Sequence, residues 1–533
     1  MDISPLALQY DNVRVSMTAC RLCRARRRYI MKRSSGILLH FTSLPSRFGV
    51  GDLGPAAYDF ADFLAEAGQR FWQVLPITPT APELCNSPYS GFSAYAANPL
   101  LISPELMVDY GLLEYEDILQ HTLPDTDHAD FKTAGMVKEE LLRKAFARVA
   151  NNLLDEVIFN QFIWDNMHWI NDFALFTALK KHFKGTNWIT WPEDIRDRTE
   201  DGLRHWGEKL YREILYVKFC QWIFFRQWGQ LKDHLDEIGV ELIGDVPIYV
   251  THDSSDVWAN RKIFKLDEKG EAFCVAGVPP DYFSKKGQLW GNPVYNWEVL
   301  QNDGFGWWIS RMKHNLGLYH WVRLDHFRGF SAYWEVPAEA ETAMEGYWVP
   351  APGHKLFEKL TEEIGCLRII AEDLGHITPD VIWLKDRFHL PGMNILQFSF
   401  GDDIGYCGDA LHNHKRNSVV YTGTHDNNTN RGWFLEDADE VSRKNLLAYL
   451  GYNWIDDAKI SWELIRLLMS SVGCLCVIQA QDLLSLDGKA RMNVPGEADG
   501  NWGWKLTPGQ LTPLIRERLG EMTELFGRTS KID

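Results

Sequence analysis

The chain has 533 residues, 45% hydrophobic and 24% charged, enough to fill a large core beneath a water-compatible surface. No run approaches the roughly 20 apolar residues that span a bilayer, which argues against a membrane partner. The formal charge of −17 repels phosphate backbones and so argues against nucleic acid, while a neutral ligand such as a sugar is tolerated.

Residues 1–33 read as a disordered basic leader, with Arg14, Arg21, Arg24, Arg26, Arg27, Arg28, Lys32 and Arg33 set against only Asp2 and Asp11. Two readings stay open: translation starting at Met31, or an organellar transit peptide and hence a plastid. The nine cysteines are odd in number and scattered, as in a cytoplasmic protein with reduced thiols. Cys20-x-x-Cys23 has the spacing of half a zinc site, but no second pair of cysteines or histidines accompanies it, so no metal is expected.

Beyond the leader, eight short apolar runs have strand character: Gly36–Phe41, Phe71–Ile77, Glu241–Val246, His320–Leu324, Leu367–Ala371, Met393–Phe398, Ser418–Tyr421 and Leu475–Ala480. Helical patterns separate them; one opens at Pro55 and stops before Gly68. Eight strands alternating with helices predict an α/β fold, a (β/α)8 TIM barrel over residues 34–533. Two gaps are too long for simple crossovers. Residues 80–238 read as a mainly helical insertion, with apolar periodicity over Lys138–Phe162, Asp172–Phe183 and Glu208–Glu237. Residues 250–305 contain Val278–Trp297, where Gly, Pro and exposed-looking aromatics exclude a regular element and predict a lid-like loop beside a site.

Barrel enzymes keep their chemistry at the C-terminal ends of strands. There the third strand places Asp245, the fourth Arg323 and Asp325, the fifth Glu372, and the seventh His425 and Asp426. A lone Asp after a strand is usually a cap, but four acids converging on one mouth repel each other and need a function. Glycosidic cleavage needs two carboxyls. Arg323, two residues before Asp325 and on the same strand face, would keep that Asp ionised. Glu372, ordinarily near ~4.3, would be raised by acidic neighbours and partial burial, as a general acid requires. The 22 Trp, 19 Tyr and 28 Phe mostly fill a core, yet their flat faces also suit sugar rings.

Three segments, Arg323-Leu-Asp325-His-Phe-Arg-Gly, Ala371-Glu-Asp-Leu-Gly375 and Gly423-Thr-His-Asp-Asn427, resemble the catalytic segments of the 4-α-glucanotransferases (amylomaltase, or disproportionating enzyme). So do Gly36–Ser46, Ser87–Ala94, Gly244–Tyr249 and Gly287–Pro293. The resemblance runs from about Ser34 to the end and implies a retaining barrel without a C-terminal β-sandwich, acting on maltooligosaccharides and α-1,4-glucans without a cofactor; the sequence leaves monomer and homodimer both open. It implies Asp325 as nucleophile, Glu372 as acid/base and Asp426 as a clamp on sugar hydroxyls. Asp245, Arg323 and His425 become binders around the cleaved sugar. Gln288, Trp290 and Asn292 belong to the loop over the cleft, and Ser87, Tyr89 and Asn493 are further substrate contacts. Lys285-Lys286, Glu497 and Lys505 depart from the family pattern and bear on subsite preference.

Three rivals compete. Gly49-x-Gly51-x-x-Gly54 has the spacing of a dinucleotide fingerprint, but the next strand supplies no acid for a ribose hydroxyl. An α-glucan hydrolase would use the same carboxylates, because water and a sugar hydroxyl differ as acceptors only through binding. A non-catalytic sugar-binding barrel would need none of the acids.

Overall fold

Parallel strands buried on both faces read as unbroken apolar runs, and all eight runs become such strands. The structure, a computed structural model, describes residues 31–280, 285–497 and 499–529. Most of the basic leader, its Cys20–Cys23 pair included, lies outside them. Twelve strands occur among the described residues: β1 (Ser34–Leu38), β2 (Phe71–Gln73), β3 (Glu241–Val246), β4 (Cys274–Val278), β5 (Gln288–Pro293), β6 (Trp321–Leu324), β7 (Ala332–Pro337), β8 (Tyr347–Pro350), β9 (Ile369–Ala371), β10 (Gly392–Ile395), β11 (Ser418–Tyr421) and β12 (Leu475–Gln479).

Eight of them form one parallel sheet in the order β10-β11-β12-β1-β2-β3-β6-β9. Its two ends meet where the Ala371 N–H donates to the Pro391 carbonyl at 2.9 Å, nearly closing a barrel. Several strands stop earlier than their apolar runs: Phe41 and Leu396 open 3-10 turns, and Pro76 offers no N–H to a ladder. The helix Pro55–Glu66 buries Ala57, Phe60, Ala61, Phe63 and Leu64, at the spacing of one helical face. Its Phe60 meets Trp72 edge-on at 4.9 Å. Gly68, at φ +69°, turns the chain where a side chain would strain.

Between β2 and β3 the chain builds helices, among them Phe131–Val149, Val157–Asp165, Ile170–His182, Glu200–Lys209 and Tyr211–Ile238. The pattern over Lys138–Phe162 is therefore two helices, not one. Asn151 and Asn152 interrupt it, and Asn side chains compete with helical backbone bonding. Lys138 ties this layer to the β1 loop: its ammonium donates to Asp52 at 2.6 Å and to the Leu100 carbonyl at 2.7 Å. The glycines around Asp52 are packing positions, since a Cβ on Gly51 would lie 2.0 Å from the Phe41 carbonyl oxygen. They form no cradle for a dinucleotide.

A second sheet overturns the expectation that Val278–Trp297 holds no regular element. It is antiparallel, in the order β5-β4-β7-β8, and β5 lies inside that segment. An edge strand pairs on one side only, so it tolerates the Gly291 at φ +75° and the terminal Pro293. Residues 281–284 lie outside the described residues. Beyond β12 the described residues contain helices and turns and no further strand. Buried Arg528 there donates to the carbonyls of Ser34, Met469, Ser471 and Gly473, fastening the chain end to the barrel.

Candidate active site

Strand register assembles the site. Asp245 of β3 pairs with Arg323 of β6, and Leu324 pairs with Ala371 of β9. Asp325 and Glu372 each follow a paired residue on adjacent strands, whose backbones run about 4.8 Å apart. The Glu372 N–H donates to the Leu324 carbonyl at 3.1 Å. In return its Oε2 accepts from the His326 N–H at 2.8 Å, so the Glu372 carboxylate rests against the residue that follows Asp325.

Arg323 is the cation of the cluster. It is buried, and one nitrogen, Nη1, donates to both Asp245 oxygens at 2.9 and 2.8 Å and to Asp325 Oδ1 at 2.9 Å. Burial drives the Asp245 carboxyl upward and Arg323 draws it back. With Tyr89 also donating to Oδ2 at 2.8 Å, the ionised form is the one its hydrogen bonds satisfy. Burial likewise lifts the Tyr89 hydroxyl well above its usual range, so it stays a donor. Ser87 in turn accepts the Tyr89 N–H at 3.3 Å.

Glu372 is half-buried and has no cation of its own. Burial pushes its carboxyl up to about 8; the Asp325 and Asp373 carboxylates push the same way, while Arg323 and the Leu374 amide oppose. Asp325 keeps a guanidinium bond that Glu372 lacks. The two carboxyls therefore differ in their hydrogen-bonding surroundings.

The β11 loop closes the other side. His425 is buried and stacks on Tyr89 at 5.0 Å between ring centroids, with Nε2 3.4 Å from Asp426 Oδ2. Asp426 is more open, its side chain 41% exposed, and Asn493 donates to its Oδ1 at 2.6 Å. On the edge of the second sheet, Trp290 is 36% exposed and meets the His326 ring edge-on at 4.8 Å, donating its Nε1 to Gln288 Oε1 at 3.1 Å. Asn292 points elsewhere: its amide donates to the Val250 carbonyl at 3.0 Å, holding β5 to the β3 loop. Asp245, Tyr89, Arg323, Asp325, Glu372, His425, Asp426 and Asn493 thus form one connected group. Trp290 and Gln288 join it through His326, and Ser87 through Tyr89.

Three neighbours were not singled out from the sequence. His326 holds a left-handed φ of 49°, and burial pushes its imidazole down to about 4, leaving it neutral. Arg491 donates to the carbonyls of Asp426 and Asn493 at 2.6 and 2.8 Å, fixing the two side by side. Buried His40 follows β1 and is pushed down to about 3, by burial and then by His425. Only His326 carried a local signal, its place directly after Asp325.

Comparison with known proteins bears on the fold and the family. A family model described as 4-alpha-glucanotransferase matches residues 39–512. The 4-alpha-glucanotransferase of Synechocystis sp. is 48% identical over 502 residues, covering 93% of this chain and 98% of that protein. That of Thermus thermophilus is 46% identical over 505 residues, covering 93% and 99%. Among solved structures, an amylomaltase from Streptococcus agalactiae in complex with acarbose superposes with a TM-score of 0.88 at 37% identity, over 93% of this chain and 100% of that one. With the fold, the order of segments and nearly the whole length in common, the chain belongs to the 4-alpha-glucanotransferase family.

Proposed function

We propose that the protein moves α-1,4-glucan segments between maltooligosaccharides by double displacement with retention, using Asp325 as nucleophile and Glu372 as acid/base. The observation that carries this reading is the unequal treatment of two carboxyls on adjacent strands. Arg323 supplies a counter-charge to Asp325, while burial holds a proton on Glu372. Retaining glycosidases set such a pair about 5–5.5 Å apart, inverting ones farther, and adjacency in one parallel ladder favours the shorter span.

In the first step Glu372 gives its proton to the glycosidic oxygen as the C1–O bond breaks, and Asp325 forms a new bond to C1. In the second, the 4-hydroxyl of an incoming glucan attacks C1 and displaces Asp325, its proton passing to the Glu372 carboxylate. Asp426, steadied by Asn493, accepts hydrogen bonds from hydroxyls of the distorted sugar. Tyr89 and His425 hold the same ring, while Asp245, fully buried and expected from the sequence to touch the sugar, braces Tyr89 and Arg323 from behind. Trp290 offers an aromatic face to a sugar on the far side of the cleavage point, with Gln288 beside it. The covalent intermediate and one acid/base carboxyl supply the chemistry, so the reading calls for no metal or organic cofactor.

Hydrolysis by the same carboxyls is the less favoured alternative, since the relatives above are named as transferases. Incubation with maltotriose alone separates the two: transfer gives glucose plus a ladder of longer oligomers, and a product set containing only shorter sugars would overturn the reading. Asp325→Asn should abolish turnover. We place the enzyme in the cytoplasm as a monomer or homodimer, with a plastid as the alternative if the basic leader is a transit peptide. Among the described residues no helix is long and apolar enough to cross a membrane.

A further inference from the structure

The barrel has one seam. β9 and β10 stand at the two ends of the strand order, with no ladder between them. Pro391, which has no N–H to give, enters β10, and among the described residues one backbone bond, from Ala371 to its carbonyl, spans the gap. Beside that bond a side chain takes the place of the next rung. Asp373 Oδ1 accepts the Met393 N–H at 2.7 Å, while its Oδ2 pairs with Lys385 of the helix Pro379–Arg387. Both partners are largely buried, with side chains 14% and 9% exposed for Lys385 and Asp373. Gly392 leaves room for them: a Cβ there would lie 2.5 Å from both Asp373 Oδ2 and Lys385 Nζ. A carboxylate, an ammonium and a glycine from three elements thus lock the seam one residue from Glu372.

We propose that Asp373 and Lys385 are a positioning pair for the acid/base: Asp373 pins the end of β9 that carries Glu372 and sets a carboxylate beside it, and Lys385 meters how much of that negative charge Glu372 feels. The inference rests on Glu372 being the acid/base. Other groups also face Glu372: Arg323, Asp325 and His326 from β6, and Tyr421 from β11. Asp409, from the loop after β10, feels the Asp373 charge in turn. Among these, Asp373 is the carboxylate whose charge is regulated by a cation not itself bound to Asp325.

The sign follows from the charges. The acid/base must be protonated to cleave, so its titration sets the alkaline limb of kcat/KM. Asp373→Asn keeps an oxygen for the Met393 N–H but removes the charge, and the limb moves to lower pH. Lys385→Met removes the offsetting cation, and over the pH range where Asp373 stays ionised the limb moves to higher pH. A neighbouring carboxylate typically shifts such a titration by roughly half a pH unit or more.

The test measures kcat/KM for maltotriose against pH in wild type, Asp373→Asn, Lys385→Met and Glu372→Gln, with thermal melting of each. Opposite displacements of the limb are expected, with Asp373→Asn melting below wild type, because Lys385 loses its buried counter-ion, yet still folded at the assay temperature. Limbs that stay put, or that move the same way, overturn the positioning role even if activity falls. A Glu372→Gln enzyme that keeps full activity and its alkaline limb overturns the acid/base assignment instead, so the two failures are distinguishable.

Discussion

Replacing Arg323 by Met is the sharpest physical test of the cluster. The guanidinium is buried, as is the Asp245 side chain, at 3% and 0% exposure, and it supplies the cation to both Asp245 and Asp325. Without it, Asp245 must either stay ionised beside Asp325 or take up a proton. Holding a proton on a carboxyl with an ordinary pKa of ~3.9 costs about 1.4 kcal/mol per pH unit above that value. The loss is then about 1.5 kcal/mol at pH 5 and about 4 kcal/mol at pH 7, where it reaches the ~3–5 kcal/mol typical of a broken buried pair. The sign is that of a raised carboxyl: the unfolded chain gives up its proton first, so the variant weakens as pH climbs through ~3.9 and beyond. Asp325, 29% exposed, can turn to water and adds less. Urea unfolding followed by Trp fluorescence, wild type and variant side by side at pH 5 and pH 7, reads the difference. Equal losses at both pH values, or a loss under ~1 kcal/mol at pH 7, would show that Asp245 does not depend on Arg323 for its charge.

Glu372→Gln should lower transfer from maltotriose by roughly 10²–10⁴-fold and remove the alkaline limb of the rate profile; a persisting limb would assign it to another group. Trp290→Ala should raise KM for maltotriose by several-fold, since an aromatic contact is worth about 0.5–1.5 kcal/mol, with kcat changed less; an unaltered KM would take Trp290 out of the binding surface. Lys505→Met should leave thermal stability equal or improve it by roughly 1–3 kcal/mol, because the Lys505 ammonium is buried without a hydrogen-bond partner. A clear drop in melting temperature would show that the charge is satisfied in solution.

The barrel strands were legible because a parallel strand covered on both faces is apolar throughout, as Leu475–Gln479 is. The second sheet was not. Its strands Gln288–Pro293 and Tyr347–Pro350 are edges with exposed side chains, and their order comes from pairing across the chain, as when Trp334 meets Trp348 at 5.2 Å. The same division runs through the site. Asp325, Glu372 and Arg323 could be read locally, from strand ends and the two-residue repeat. The contacts that give them chemistry are long-range: Tyr89 reaches Asp245 across 156 residues, and Arg491 holds the Asp426 loop across 65. Asn292 has the right neighbours in sequence, yet its amide is spent on a carbonyl. Residue type alone could not separate a binder from a brace.

One cation shared among several acids explains how two neighbouring carboxyls come to differ. Arg323 sends two hydrogen bonds to Asp245 and one to Asp325, and none to Glu372. Asp245 absorbs most of the charge and, with Tyr89, becomes a fixed wall. Asp325 is left with one oxygen anchored by Arg323, and its side chain is 29% exposed. Glu372 gains only backbone amides, from His326 and Leu374, which favour its ionised form but are outweighed by burial and by two nearby carboxylates. Unequal surroundings of paired carboxyls are what separate acid from nucleophile, and they are the basis of the roles proposed above for Glu372 and Asp325. In this barrel the division follows from a strand register: Arg323 stands opposite Asp245 on one side, while on the other it stands opposite Ile370, which has no charge to offer or to claim.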